Sequence, residues 1–148
     1  MRERTGLIAI ERIESLIPAF AADEGIVLAF LFGSYAQGKM TALSDIDLGL
    51  LLSPDVPFEK HLDYRLRYAV AAMQVLRDDR VDLVILNTAP PLLSHEAIKG
   101  RVLFERSPEA RVKYVTEVQR KYLDLKSFYA IDHAYMRQRL KEGSFGQP

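Results

Sequence analysis

Residues 26–52 read IVLAFLFGSYAQGKMTALSDIDLGLLL, and the fold turns on how they are parsed. Ile26 to Phe32 is a nearly continuous apolar run of seven residues ending in Gly33. A run that short predicts a strand covered on both faces, as in α/β proteins. Gly33 to Ser44 is polar, holds Gly33 and Gly38, and has room for a short helical turn beginning at Tyr35. Asp45 to Leu52 then predicts a second strand, closed by Ser53-Pro54.

Upstream of this stretch, Ile10, Ile13, Ile17 and Phe20 are spaced as an amphipathic helix, which Pro18 should split or kink because proline donates no helical hydrogen bond. Downstream, Leu62, Leu66, Ala69, Met73 and Leu76 step by four, three, four and three, so they predict a helix over 58–76 with these residues facing the core. Val81 to Leu86 predicts a third strand, Leu92 to Ile98 a short helix after Pro90-Pro91, and Arg101 to Glu105 an edge strand. Ser107-Pro108-Glu109 supplies an N-cap, a first-turn proline and an acid at the positive helix end. From there Val112, Val115, Val118, Tyr122, Leu125, Tyr129, His133, Met136 and Leu140 keep a helical stripe until Gly143. Such a helix would be about 50 Å long, against a domain diameter of about 38 Å. It must bend, or project toward a partner. The expectation is one α/β (α+β) domain over 1–148, a small mixed central sheet flanked by helices, with residues 107–142 a long C-terminal helix used for docking.

Composition narrows the function. The chain has 148 residues, 20 basic and 20 acidic side chains, and no cysteine. Thiolate metal sites, disulfides and cysteine nucleophiles are excluded. A net charge of zero lacks the broad positive field that backbone-driven DNA or tRNA binding needs. No stretch reaches the ~18 apolar residues of a membrane span, and the N-terminal residues lack a signal-peptide core, so a cytoplasmic protein is expected. His61, His95 and His133 are too scattered for a metal motif, and no histidine is placed to activate Ser34.

The chemistry lies in Gly33-Ser34 and, after ten intervening positions, Asp45-Ile46-Asp47. Carboxylates two apart on a strand leave the same face. On an otherwise apolar strand they repel, and burying them is costly unless a cation intervenes. Hard oxygen ligands with open positions suit Mg²⁺ shared with substrate phosphates, and two such ions can serve both the attacking and the leaving oxygen. Glycine admits a phosphate close to the backbone, and the serine hydroxyl can donate to it. Asp82 interrupts the third strand. If that strand lies beside Asp45–Leu52, Asp82 completes a carboxylate triad as metal ligand and general base; otherwise it is a strand-start acid near solvent beside Arg80.

The segments Leu31-Phe32-Gly33-Ser34-Tyr35-Ala36-Gln37-Gly38, Ser44-Asp45-Ile46-Asp47-Leu48 and Val81-Asp82-Leu83-Val84 resemble the minimal nucleotidyltransferases of the DNA polymerase β superfamily. More closely, the chain is similar to the MntA antitoxins of HEPN–MNT toxin–antitoxin pairs. That resemblance implies transfer of AMP from ATP to a tyrosine of a HEPN (HepT-like) ribonuclease toxin, with the two proteins in a hetero-oligomer. It also implies that Gly33 and Ser34 hold the triphosphate, that Asp45 and Asp47 bind Mg²⁺, and that Asp82 both ligates a metal and activates the acceptor hydroxyl. Ser44 belongs to the same nucleotide-binding segment. Where many relatives carry a basic residue this chain has Gln37, and Lys39 stands in as the phosphate contact. The alternatives are an antitoxin that inhibits by binding alone, and a small-molecule, aminoglycoside-type nucleotidyltransferase.

Overall fold

The computed structural model describes residues 7–141. The apolar run forms strand β1 (Ile26–Phe32), and its partners are β2 (Ile46–Leu52), β3 (Val81–Ile85) and β4 (Arg101–Glu105) in the order β3-β2-β1-β4. β1 pairs antiparallel with β2 and β4, whereas β2 pairs parallel with β3. A parallel pair needs a crossover, and the chain supplies it with a 3₁₀ turn at Phe58–Lys60 and helix α4 (His61–Leu76). The expected mixed sheet is therefore the one observed.

Pro18 does split the first helical segment. Helix α1 (Ile10–Glu14) stops, and α2 (Ile17–Ala22) restarts with the proline in its first turn, where its missing N–H is not needed. Helices α1, α2 and α4 cover one face of the sheet, burying Ile13, Leu16, Phe20, Tyr68, Ala72 and Leu76 against Leu48, Leu50, Leu83 and Ile85. On the other face, α5 (Pro91–Ile98) and α6 (Pro108–Lys141) pack mainly over β1 and β4, around Leu28, Phe30, Phe32 and Ala97. Gly100 lets the turn between α5 and β4 press on β1, since a Cβ there would collide with the Leu31 carbonyl oxygen.

The α4 stripe holds toward the end of the helix, where Leu76 is buried and Ala69 and Met73 are partly buried, but not at its start. Leu62 and Leu66 are 62% and 56% exposed, while Tyr68, Ala72 and Leu76 are buried. The helix is rotated because Tyr64 and Tyr68 both donate to Asp23, at 3.0 and 2.6 Å, at the end of α2. Arg67 adds an ion pair to the same carboxylate at 3.5 Å. These contacts turn the tyrosine side of α4 inward.

Helix α6 is continuous over 34 residues, and the Ser107 hydroxyl accepts from the Ala110 N–H at 3.1 Å as its cap. Along the expected stripe Val118 is buried, but Val112 is 55% exposed. The side chains of Tyr129, His133, Met136 and Leu140, together with Gly143, lie outside the described residues. No helix among the described residues is long and apolar enough to cross a membrane.

Candidate active site

The site assembles where the end of β1 meets the starts of β2 and β3. In register, Phe32 pairs with Asp47 across β1–β2, and Asp47 pairs with Asp82 across β2–β3. Ile46, Leu48 and Leu83 point toward α4. By strand alternation Asp47 and Asp82 therefore stand on the opposite face, on the part that α5 and α6 leave open.

Asp45 is the last residue before β2 rather than part of it, and it is exposed. Asp82 is exposed too, because it is the second residue of an edge strand. Asp82 thus combines the two expectations, since it lies beside β2 and is also a strand-start acid near solvent. Asp47 is the acid that bears the cost. It is half-buried, and burial, followed by the charges of Asp82 and Asp45, pushes its carboxyl up to about 6. The charges of Asp45 and Asp82 both reach the Asp47 carboxylate.

Gly33 connects this cluster to the loop that runs from helix α3 (Ser34–Gln37) to Asp45. Its φ is +71° and ψ −152°, a combination that side chains rarely adopt, and a Cβ would run into the Asp47 carboxylate. Helix α3 (Ser34–Gln37) follows at once, with Gly38 closing it in the left-handed conformation. Tyr35 anchors α3 from below. It is 2% exposed, and its hydroxyl accepts from the Ile8 N–H at 3.2 Å. Ser34 is half-buried, while Gln37 and Lys39 are exposed. The Ser44 hydroxyl accepts from the Thr41 N–H at 2.8 Å and so shapes the loop leading to Asp45.

A half-buried carboxylate raised by the charges of two neighbouring acids fits a divalent cation, whose charge would relieve the repulsion. Among the described residues, however, no three His, Asp or Glu side chains are drawn up as a finished metal cage. The donors present fit an ion that takes its remaining ligands from substrate and water.

A separate groove of ≈ 400 Å³ lies at the far end of the same face, lined among others by Leu51, Asn87, Tyr114 and Lys121. Leu86 divides it from the acids, since its methyl groups lie 3.1 Å from where a Cβ on Gly49 would stand. None of Asp45, Asp47 and Asp82 lines it, so it is distinct from the open carboxylate cluster. Two residues near that cluster escaped the sequence reading. Asp78 and Arg80 look like solvated loop residues in the sequence, yet both are buried.

The family described as "Polymerase beta, Nucleotidyltransferase" matches residues 14–109, a span that contains Gly33, Ser34, Asp45, Asp47 and Asp82. Among solved structures, a toxin-antitoxin with AMP-PNP is similar at 26% identity and a TM-score of 0.64, over 83% of this chain and 98% of that one. The toxin-antitoxin MntA-HepT is similar in fold at 22% identity and a TM-score of 0.63, over 86% and 99%. A tri-AMPylated HEPN toxin of Shewanella oneidensis in complex with MNT antitoxin is similar in fold at 23% identity and a TM-score of 0.61, over 85% and 94%. No curated protein matches the chain.

Proposed function

This chain belongs to the polymerase beta nucleotidyltransferase family, and on that premise we propose that it is an antitoxin that transfers AMP from ATP to a tyrosine hydroxyl of a HEPN ribonuclease toxin. The observation that carries the reading is the apposition of Asp47 with Asp82, in register, over a glycine that leaves no Cβ beneath the Asp47 carboxylate. The likeness to a toxin-antitoxin with AMP-PNP supports both the partner and the nucleotide.

In this mechanism the N–H groups opening α3 and the Ser34 hydroxyl bind the triphosphate, with Lys39 and Ser44 on the loop beside it. Asp45, Asp47 and Asp82 would hold Mg²⁺, which supplies charge neutralisation for the triphosphate and the departing pyrophosphate. Asp82, exposed at the edge, accepts the proton of the incoming hydroxyl. The hydroxyl oxygen then bonds to the α-phosphorus while the bond to the β-phosphate oxygen breaks, so pyrophosphate leaves and the toxin carries AMP. Positioning supplies most of the acceleration, as elsewhere in phosphoryl and nucleotidyl transfer.

The open face beside the acids leaves room for a protein acceptor. Helix α6, with Leu123 and Phe128 each more than 60% exposed, is the docking surface in this reading. Its place is the cytoplasm, where ATP and the toxin meet.

Intact-mass spectrometry of the co-purified toxin after incubation with ATP and Mg²⁺ tests the proposal, with Asp45→Asn as control. A gain in AMP units that requires Asp45 is the expected result. A tight, inhibited complex with no gain in mass refutes transfer and leaves inhibition by binding.

A further inference from the structure

Asp78 and Arg80 are 3% and 9% exposed and are bonded to each other. Asp78 Oδ1 accepts from the Arg80 main-chain N–H at 2.8 Å and from Nε at 3.0 Å, and Oδ2 accepts from Nη2 at 2.7 Å. A buried ion pair is weak evidence of a stabilising role, because desolvating both charges offsets their attraction. Its connections say more. The Asp78 N–H bonds to the Met73 carbonyl at 3.2 Å, tying the pair to the end of α4. The Arg80 carbonyl accepts from the Ile46 N–H at 2.8 Å, and Ile46 stands between Asp45 and Asp47. One residue past Arg80 the β2–β3 register begins, Val81 with Ile46 and then Asp82 with Asp47. The fork thus sits at the single corner from which both acid-bearing strands depart.

We propose that the Asp78–Arg80 pair is a positioning device for the carboxylate cluster. It sets the offset between the strand start carrying Asp45 and Asp47 and the one carrying Asp82, and with it the cluster's affinity for a divalent cation. The inference rests on the cluster being a cation site, as proposed above. A planar guanidinium can hold Asp78 Oδ1 and Oδ2 together with its own main chain; an ammonium in its place is a point charge without the fork. Outer residues that orient metal ligands act in this way without touching the ion.

Mn²⁺ is the probe, its binding to the full chain read by electron paramagnetic resonance, with a thermal melt of each variant. Arg80→Lys keeps the charge and loses the fork, and Asp78→Asn keeps an acceptor and loses the charge. Each is expected to melt cooperatively and to bind Mn²⁺ roughly ten- to a hundredfold more weakly than the unsubstituted chain. A purely structural pair would lower the melting temperature and leave Mn²⁺ affinity unchanged within about twofold, which overturns the proposal. Should both single variants fail to fold, the neutral pair Asp78→Asn with Arg80→Gln removes the buried charges together and is judged by the same two outcomes. Asp47→Asn separates the underlying reading. If it binds Mn²⁺ as well as the unsubstituted chain, the carboxylates are not the cation site, and the positioning role falls with them.

Discussion

Replacing Asp47 by asparagine should make the metal-free protein more stable, and only above a certain pH. The carboxyl is raised from 3.8 to about 6 by burial and by the charges of Asp82 and Asp45. That rise corresponds to about 3 kcal/mol if taken whole. Asp47 is only half-buried, and solvent screening of its neighbours reduces the cost to about 1 kcal/mol. In the unfolded chain the group ionises near 3.8, and in the folded chain near 6. Below the first value both states are protonated and nothing is lost. Between the two the folded state is progressively penalised, and above 6 the penalty is complete. Asparagine never ionises and escapes it. Thermal melts in chelator should therefore show equal midpoints for the two proteins near pH 3 and a midpoint about 2–4 °C higher for Asp47→Asn at pH 8. Saturating Mg²⁺ at pH 8 should reverse the order by stabilising the unsubstituted chain alone. An asparagine variant that is no more stable at pH 8, or equally shifted at both pH values, refutes the account of a carboxylate held at a cost for a cation.

Gly33→Ala should lower stability by about 1–3 kcal/mol from backbone strain, and should abolish AMP transfer because the new Cβ meets the Asp47 carboxylate. A melt and the mass assay read both, and an active, stable alanine variant would dismiss the close approach. On α4, Leu66→Ser should leave the thermal midpoint of the isolated chain nearly unchanged, since Leu66 is 56% exposed. Leu76→Ala, at 1% exposure, should cost about 2–5 kcal/mol in denaturant unfolding. Equal losses in the two would mean that α4 is turned as the sequence stripe suggested.

What the sequence reveals follows from how local each cause is. β1 is legible because a seven-residue apolar run bounded by Gly33 leaves one reading, and the break at Pro18 and the cap at Ser107 are properties of single residues. The orientation of α4 is not local. Leu76 is buried as its stripe predicts, but Leu62 and Leu66 are not, because Asp23, some forty residues earlier, takes the hydroxyls of Tyr64 and Tyr68 and turns their side inward. Asp78 and Arg80 are hidden for a similar reason. A charged trio, Asp78-Asp79-Arg80, reads as a solvated turn until the end of α4 and the start of β2 close around it. The acids themselves were legible as a pattern, while the exposure of Asp82 depended on β3 being the edge strand.

The aim of the acids is decided by residues that never touch them. Ile46, Leu48, Leu50 and Leu52 share one side of β2, and Leu83 and Ile85 share the same side of β3, because all six are buried in the core under α1, α2 and α4. Side chains alternate strictly along a strand, so this burial sends Asp47 and Asp82 to the open face, whatever their own preference. A slip of one residue in either strand would bury an aspartate against Tyr68 and Leu76 and expose a row of leucines, at a cost of many kcal/mol. The apolar pattern thus fixes on which face the carboxylates meet. It leaves less determined how β3 tilts against β2 within that register, and a cation held at fixed ligand distances is sensitive to that tilt. That residual freedom is what a forked, buried pair at the corner before both strands is placed to remove.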